Sequence, residues 1–283
     1  MPPGLTPVFF MLFKGKTIFI SGASRGIGKA IGLKLASEGA NIVIASKSVE
    51  ENPKLGGTIY SAAEEMRKAG GNVLPVQCDI RFEDQVQHAV ELSVQEFGGI
   101  DILVNNASAI SLQNTTALEP KRYDLMFDIN VRGTFMVSRA CIPHLKKSAS
   151  AHILNLSPPL NMNLRWFENH LAYTISKYDM TLIALGLSAE LKEFGIACNT
   201  LWPKTTIATA AVQNLLGGEA LANMSRKPEI MADAAFEIFK RPVDFSGNSC
   251  LDEDILRDAG ITDLSRYAVV QGAKLYPDLF IDG

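Results

Sequence analysis

Cysteine is scarce in this chain of 283 residues, and its four cysteines are far apart in the sequence. Cys78, Cys141, Cys198 and Cys250 form no Cys-x-x-Cys pair and no cluster with histidine. Zinc sites need such clusters, so we expect no metal centre. Each cysteine lies in an apolar stretch, which is typical of a small core residue. The pattern favours the cytoplasm or another reducing compartment.

Long runs of one charge are also missing. The net charge is −3 at pH 7, and the basic residues are scattered, with no block beyond pairs such as Lys146-Lys147. Domains that bind nucleic acid usually carry a basic patch or stripe. We therefore expect no nucleic-acid partner.

The sequence has no apolar run long enough for a membrane span, which needs ~20 residues. The apolar stretch at residues 8–13 is too short, and no basic region precedes it. We therefore expect no transmembrane segment, no secretory signal and no other clear targeting signal. Residues 1–13 are interpreted as an N-terminal extension, with Met11 as an alternative start.

Apolar residues make up 47% of the chain and charged residues 20%, a composition typical of a globular protein with a large core. Runs rich in β-forming residues alternate with segments of helical periodicity. We predict strands at residues 16–21, 41–45, 73–78, 101–105, 152–156, 197–201 and 248–252. We predict helices at residues 26–37, 58–69, 82–97, 170–194, 207–215 and 228–239, and a long helical stretch that ends near residue 147.

This alternation predicts an α/β fold. We expect a single doubly wound, Rossmann-type parallel sheet of about seven strands, with helices on both faces. The predicted strands are almost continuously apolar, as in sheets that are covered on both sides. One domain is expected to span residues 14–283. Its ligand cleft should lie at the carboxyl ends of the strands.

Three glycines follow the first predicted strand directly, within Gly22-Ala23-Ser24-Arg25-Gly26-Ile27-Gly28. Glycine lets the backbone pass close to a diphosphate, and the free N–H groups at the start of the next helix favour an anion. The loop therefore predicts a dinucleotide-binding site. A glycine-rich turn without a ligand is the alternative.

Further motifs accompany the spacing Gly-x-x-x-Gly-x-Gly. Asn105-Asn106-Ala107 follows the fourth strand, Asn130 lies in the next helical stretch, and Tyr173 stands four residues before Lys177. In this order, over roughly residues 14–252, the motifs resemble the short-chain dehydrogenase/reductase family. Ser108 departs from the family motif, which has glycine there. The resemblance implies an oxidoreductase that transfers hydride between a nicotinamide and a carbonyl or secondary alcohol, usually as a homodimer or homotetramer.

The second strand ends in Ala45-Ser46-Lys47 and lacks the acid that binds ribose hydroxyls in NAD-specific sites. Lys47, helped by Arg25, can neutralise a 2′-phosphate, so we predict NADP(H) over NAD. A solvated Lys47 without a ligand is the alternative. With the roles that the resemblance implies, the predicted cofactor-binding residues are Gly22, Ser24, Arg25, Gly26, Ile27, Gly28, Lys47, Asp79, Asn106, Ala107, Tyr173, Lys177 and Thr205. Asp79 has a second interpretation as a cap of the following helix.

Tyr173 and Lys177 lie in a segment of helical periodicity, so they share one face, ~6 Å apart along the axis. A free tyrosine has a pKa of ~10, too high for efficient proton transfer near neutrality. A neighbouring cation stabilises the phenolate and lowers that pKa. We therefore predict that Tyr173 is the general acid and base, assisted by Lys177. The resemblance adds that Lys177 holds the nicotinamide ribose.

Two polar residues have open alternatives. Asn130 either holds a water that relays protons toward Lys177 or is a buried residue bonded to backbone. Ser157 stands one residue before the position where the family has its substrate-binding serine, and Pro158-Pro159 follows it. Proline restricts the preceding residue to extended geometry. Ser157 either reaches the substrate through a re-aimed loop or has no catalytic role.

Aromatic residues flank the expected cleft. Trp166 and Phe167 lie in the loop at residues 160–169, and Trp202 follows the sixth strand. They favour an apolar carbonyl substrate, with ordinary loop packing as the alternative.

Residues 203–226 are predicted to form a lid over the substrate. Thr205 and Thr206 at its start cannot be ranked as cofactor ligands from the sequence. A second function remains open: a nucleotide-binding regulatory protein with weak or no turnover. The Pro158-Pro159 departure supports that function, and the presence of Tyr173 with Lys177 opposes it.

Overall fold

The computed structural model describes residues 11–52 and 55–282, and residues 1–10, 53–54 and 283 lie outside its described part. Most of the predicted N-terminal extension at residues 1–13 therefore falls outside the described residues. Within the remainder, Phe13 is buried and packs against Phe236, with ring centroids 5.4 Å apart.

One parallel sheet organises the described chain, in the strand order β3-β2-β1-β4-β5-β6-β7. Its strands are β1 (Thr17–Ser21), β2 (Asn41–Ser46), β3 (Asn72–Gln77), β4 (Ile102–Asn105), β5 (Ala151–Asn155), β6 (Ile196–Trp202) and β7 (Ser249–Leu251). The strand order reverses between β1 and β4. A doubly wound sheet binds its ligand in the crevice at this point.

Helices cover both faces of the sheet. In the described residues they are α1 (Gly26–Ser37), α2 (Ile59–Lys68), α3 (Glu83–Phe97), α4 (Pro120–Met126), α5 (Thr134–Leu145), α6 (Leu171–Glu190), α7 (Gly218–Asn223), α8 (Glu229–Phe239) and α9 (Asp252–Asp258). This architecture confirms the predicted fold class.

Neighbouring residues of one strand belong to different cores. Ile18 and Ile20 of β1 pack with α1, α2 and α8 on one face. Phe19 between them packs with α3 and α5 on the other face. Because both faces are buried, the strands read as continuous apolar runs rather than as an alternation.

The helical prediction was incomplete in three places. The long stretch that ends near residue 147 is divided into α4, a π-helical turn at Phe127–Gly133, and α5. The helix predicted at residues 207–215 forms as a π-helical segment at Val212–Leu216, followed by α7. The short α9, directly after β7, was not predicted.

All four cysteines are free and buried, which confirms their interpretation as core residues. No helix within residues 11–52 and 55–282 combines the length and the apolarity that a membrane span requires.

Candidate active site

The glycine loop between β1 and α1 packs closely against the chain that follows β4. Gly22 and Gly26 have φ angles of 74° and 59°, a region that residues with a side chain rarely adopt. The Asn106 amide donates hydrogen bonds to the carbonyls of Ser21 (3.1 Å) and Gly22 (2.8 Å). A Cβ on Gly28 would come within 2.4 Å of that amide nitrogen. The loop is thus a cradle that excludes larger residues at these positions.

A cavity of about 470 Å³ opens beside this loop. The predicted cofactor-binding residues that line it are Gly22, Ser24, Arg25, Gly26, Ile27, Lys47, Asp79, Asn106 and Ala107. Gly28, Tyr173, Lys177 and Thr205 are outside its lining. Ile80, Arg122 and Thr209 also line the cavity, and sequence analysis missed them because they belong to no motif.

Two basic side chains that line the cavity differ in whether they already form hydrogen bonds within the protein. The Lys47 side chain is exposed and forms no hydrogen bond or ion pair with the described residues. The Arg25 guanidinium instead donates to the carbonyls of Gly56 (2.8 Å) and Gly57 (2.9 Å). Lys47 is therefore available to a phosphate, whereas Arg25 fastens the glycine loop to its neighbour.

Asp79 at the end of β3 is engaged by Arg81. The Arg81 guanidinium approaches the carboxylate to 2.6 Å, and the Arg81 backbone N–H also donates to it at 3.2 Å. The helix α3 begins without a side-chain cap. The interpretation of Asp79 as a cap of this helix is therefore wrong, since Arg81 lies outside α3.

Tyr173 and Lys177 lie one turn apart on α6 and are almost completely buried, with 5% and 2% of their surface exposed. The Tyr173 hydroxyl makes no hydrogen bond within the described part of the chain. The Lys177 ammonium donates to the Leu156 carbonyl (2.6 Å) and lies 3.3 Å from the Met180 sulfur. It also lies 5.1 Å from the centre of the Trp202 ring. A phenol without a hydrogen-bond partner and a buried ammonium are thus neighbours on one face of α6.

Burial changes the acidity of both groups. Burial raises the pKa of Tyr173, and the charge of Asp278 raises it further. Burial lowers the pKa of Lys177 to about 7, although the charge of Asp278 acts in the opposite direction. The expected lowering of the Tyr173 pKa is therefore not found in the protein alone. The loss of water disfavours the charged form of each group.

Asn130 lies in the π-helical turn and is fully buried. Its amide nitrogen donates to the Ala109 carbonyl (2.9 Å) and the Ser176 hydroxyl (3.0 Å), and its oxygen accepts from the Ala109 N–H (2.8 Å). These contacts match the alternative of a buried residue bonded to backbone. They tie the loop after β4 to α6, and π-helical turns are frequent at functional sites.

The Ser157 hydroxyl is buried and accepts a hydrogen bond from Thr181 at 2.9 Å. Thr181 lies two turns beyond Tyr173 on α6, ~12 Å along the helix axis. The structure therefore places the Ser157 hydroxyl against Thr181, and no hydrogen bond joins it to Tyr173.

The Asn105 side chain belongs to a set of hydrogen bonds that links the sheet to the helices beside it. Its amide donates to the Ser138 hydroxyl (2.9 Å) and the Asn155 side chain (2.9 Å), and Asn155 donates in turn to the Met180 carbonyl (2.9 Å). This buried chain of hydrogen bonds joins β4 and β5 to α5 and α6. It fixes the helix that carries Tyr173 above the sheet.

The C-terminal segment, which we define as residues 276–282, packs against the aromatic residues around Tyr173. Phe280 is 1% exposed and packs against the rings of Tyr173, Tyr178, Trp166 and Trp202, with centroids between 5.3 and 6.2 Å apart. Its φ of 71° is uncommon for a residue with a side chain. The segment therefore forms an apolar wall over Tyr173. Sequence analysis missed it because the contacts join residues that are far apart in the sequence.

Thr205 and Thr206, at the start of the predicted lid, differ in the hydrogen bonds of their hydroxyl groups. The Thr205 hydroxyl is buried and has no partner among the described residues. The Thr206 hydroxyl lies 2.7 Å from that of Ser225. A buried hydroxyl without a partner is costly, and a ligand atom would satisfy it. The unpaired Thr205 and the cradle at Gly28 both fit a bound dinucleotide.

The chain belongs to the short chain dehydrogenase family, whose sequence profile matches residues 16–219. It is 57% identical to hydroxysteroid dehydrogenase-like protein 2 of Bos taurus over 268 residues, which are 95% of this chain and 64% of that protein. The chain thus spans less than two thirds of the length of this relative. A crystal structure of a short chain dehydrogenase from Mycobacterium thermoresistibile is 53% identical, with a TM-score of 0.91 over 95% of this chain and 96% of the other.

More distant solved structures share the fold and differ in their cofactor. Carveol dehydrogenase from Mycobacterium avium, solved in complex with NAD, is 21% identical with a TM-score of 0.72, over 84% of this chain and 96% of that one. A metagenomic short-chain oxidoreductase solved with NADP is 23% identical with a TM-score of 0.69, over the same shares of the two chains. Solved structures with this fold thus include complexes with either dinucleotide.

Replacing Gly28 with alanine tests the cradle. The new Cβ would displace the Asn106 amide from the carbonyls that it holds, so we expect dinucleotide affinity to fall by about tenfold or more, which is ~1.4 kcal/mol. A fluorescence titration with NADPH measures the change. Gly186→Ala is the matched control, because its Cβ on α6 would meet no atom within 4 Å. Unchanged affinity in G28A would contradict this account of the loop.

Proposed function

We propose that this protein is an NADP(H)-dependent oxidoreductase that interconverts a carbonyl and a secondary alcohol, with Tyr173 as the general acid and base. One observation carries the proposal: the Tyr173 hydroxyl is free of partners within the described chain, one helical turn from the buried Lys177. Membership of the short chain dehydrogenase family supports the reaction class.

In this mechanism a bound nicotinamide supplies or accepts the hydride. During reduction, Tyr173 donates its phenolic proton to the carbonyl oxygen as negative charge develops there. In the reverse direction the phenolate accepts the alcohol proton. Lys177 stabilises that phenolate whenever its ammonium is charged. The attraction is stronger than it would be in water because both residues are largely buried.

The glycine loop at the cavity, together with Thr205 and Lys177 outside its lining, suits a dinucleotide that reaches from the loop to α6. The diphosphate would lie on the glycine loop, where the N–H groups at the start of α1 favour an anion. The unpaired Thr205 hydroxyl would meet the nicotinamide end, and Lys177 would hold the adjacent ribose. Asn106 acts indirectly, by keeping the loop in shape.

The preference for NADP(H) rests on the exposed end of β2. Lys47 lines the cavity there and forms no hydrogen bond or ion pair with the described residues, although its charge helps to lower the pKa of Asp79. Its ammonium can pair with a 2′-phosphate, which NADP carries and NAD lacks. Arg25 contributes less to this preference than Lys47, because two backbone carbonyls already occupy its guanidinium.

Lys47→Ala should weaken NADPH binding by about tenfold and leave NADH binding unchanged, because only the phosphate contact is lost. Binding titrations with the two cofactors measure the difference. Lys68→Ala removes a highly exposed lysine whose partner is Glu64, and it should change neither affinity. Equal losses for NADPH and NADH in K47A would remove the basis for the cofactor preference.

We propose an apolar carbonyl or alcohol as the substrate. Tyr173 lies in a cluster of aromatic rings that includes Trp166, Trp202 and Phe280. Apolar walls with a few polar groups are typical of sites for small apolar ligands. The name of the bovine relative, hydroxysteroid dehydrogenase-like protein 2, points to the same chemical class. Steroid, acyl and quinone carbonyls form the panel to test, with NADPH consumption as the readout.

A regulatory nucleotide-binding protein with little turnover is the second candidate. The observation that favours it is Ser157, whose hydroxyl is hydrogen-bonded to Thr181 and not to Tyr173. If the protein is an enzyme with this arrangement, Tyr173 acts without help from a serine hydroxyl. A backbone donor or a water molecule must then polarise the substrate carbonyl.

Tyr173→Phe decides between these two functions. An oxidoreductase should lose about 10² to 10⁴ in kcat with NADPH affinity unchanged, because only the transferable proton is removed. Turnover assays and NADPH titrations measure the two effects. Tyr178→Phe, on the same helix, removes a hydroxyl bonded to Asn161 and should keep activity of the same order. Equal inactivity of the wild type and Y173F, with tight NADPH binding in both, would favour the regulatory protein.

We further propose a homodimer or homotetramer that forms through the helices carrying Asn130 and Tyr173. Leu171, Ile175 and Leu182 are exposed on α6. Their spacing places them on one side of the helix. Phe135 on α5 is exposed as well. Exposed apolar faces of this kind are typical of protein interfaces.

Leu182→Glu should therefore reduce the mass of the assembly, because it places a charge in the apolar contact. Size-exclusion chromatography with light scattering measures the mass. Leu164→Glu is the control, because Leu164 is exposed in a short 3₁₀ turn outside these helices. A monomeric wild-type protein would contradict the proposal.

A further inference from the structure

The connection between β2 and α2, at residues 47–58, borders the cavity beside the glycine loop. Lys47 at its start and Leu55 near its end both line that cavity. The Ile59 N–H donates to the Ser48 carbonyl (2.9 Å), which joins the two ends of the connection. Its base is thus fixed at the carboxyl edge of the sheet, where β2 ends.

Leu55 lies in a turn at residues 55–57, which we call the Leu-Gly-Gly turn. The Leu55 and Gly56 N–H groups both donate to the Asn52 carbonyl, at 3.1 and 2.8 Å. Gly56 and Gly57 have φ angles of 60° and 67°, a conformation that residues with a side chain rarely adopt. The Leu55 side chain is half-buried and adds an aliphatic group to the cavity lining.

Arg25 joins the Leu-Gly-Gly turn to the glycine loop. Its guanidinium donates from Nε to the Gly56 carbonyl (2.8 Å) and from Nη2 to the Gly57 carbonyl (2.9 Å). A Cβ on Gly57 would lie 2.7 Å from the Ser24 carbonyl oxygen, so the two backbones are in close contact here. The rigid fork of a guanidinium suits two neighbouring acceptors, whereas a lysine ammonium is a single point charge on a flexible stem. The contact therefore depends on the shape of the arginine and not on its charge alone.

The Leu-Gly-Gly turn belongs to the end of the site where the adenosine of a dinucleotide is expected. Lys47, in the same connection, is the proposed partner of the 2′-phosphate, and this phosphate is attached to the adenosine ribose. Adenine is a flat ring with apolar faces, and ligand sites are lined mainly by hydrophobic side chains. Leu55 supplies such a surface where the turn is held against the glycine loop.

We propose that Arg25 is a positioning residue of the cofactor site: its guanidinium holds the Leu-Gly-Gly turn against the glycine loop, so that Leu55 forms a wall for the adenosine half of a dinucleotide. The proposal rests on the proposed function, because that function needs a dinucleotide in this cavity. It gives Arg25 a task other than the neutralisation of a 2′-phosphate.

Removing the guanidinium should weaken both cofactors alike. In Arg25→Ala the turn loses two hydrogen bonds and Leu55 loses its fixed position, so the affinities for NADPH and NADH should each fall by about tenfold. Arg25→Lys should lose nearly as much, because lysine keeps the charge and lacks the fork that holds two carbonyls. An Arg25 that pairs with the 2′-phosphate would instead give a loss for NADPH alone in R25A, and that result would overturn the proposal.

Leu55→Ala tests the link between the arginine and the wall. It should lower both affinities, because it removes the apolar surface and leaves the hydrogen bonds of Arg25 to the backbone in place. The double variant R25A/L55A should bind no more weakly than R25A, since both changes remove the same wall. Losses that add up in the double variant would overturn the proposal, because Arg25 would then act on the ligand independently of Leu55.

Fluorescence titrations with NADPH and NADH measure these affinities, and calorimetry with adenosine 2′,5′-bisphosphate repeats the comparison on the adenosine half alone. Arg67→Ala is the matched control. Arg67 on α2 also donates to a backbone carbonyl, that of Val73 (2.6 Å), and lies outside the cavity lining, so both affinities should stay unchanged. If R25A does not fold, R25K carries the test, and an affinity equal to that of the wild type in R25K would overturn the proposal.

The titrations need no turnover, so they separate this proposal from the proposed reaction. Equal losses for the two cofactors in R25A, together with a wild type that reduces no carbonyl of the panel, would uphold the positioning role and reject the oxidoreductase. An active wild type whose affinities are unchanged in R25A would uphold the reaction and reject the role of Arg25. A wild type that binds neither cofactor would overturn both.

Discussion

The burial of the Lys177 amine is the constraint on which the site depends. The ammonium has lost nearly all its water, and its direct contacts are a carbonyl, a thioether and an aromatic ring. Removing an ion from water is expensive unless other groups compensate. The end of β5 supplies the carbonyl, α6 supplies the lysine itself, and β6 supplies the ring. The strand order brings these three elements side by side.

The sheet also explains why the glycine loop and α6 act on one ligand. The loop follows β1 and the Lys177 pocket follows β5, with β4 between them. Asn105 and Asn155 link β4 and β5 through a buried hydrogen bond and connect onward to α6. A dinucleotide that lies across the carboxyl ends of these strands would meet the glycines at one end and Tyr173 at the other. The distance between the two halves is therefore set by the core and not by mobile loops.

Much of this arrangement was predictable from local patterns. Buried strands read as apolar runs, α1 begins and ends where its periodicity does, and the glycine loop stands out by its position. The placement of Ser157 was left open because a proline pair follows it and only the fold shows that Thr181 holds its hydroxyl. The C-terminal segment escaped prediction because Phe280 is fixed by rings far away in the sequence. The acidity of Tyr173 was misjudged, since spacing along a helix says nothing about lost water.

A crystal structure of the complex with NADPH tests the central claim most directly. The account predicts the diphosphate on the loop at residues 22–28, the nicotinamide ribose within hydrogen-bonding distance of the Lys177 ammonium, and the nicotinamide ring beside the Tyr173 hydroxyl. It also predicts a contact between Lys47 and the 2′-phosphate. A cofactor bound elsewhere, or one whose nicotinamide lies away from Tyr173 with Lys177 still bonded only to Leu156, would contradict it.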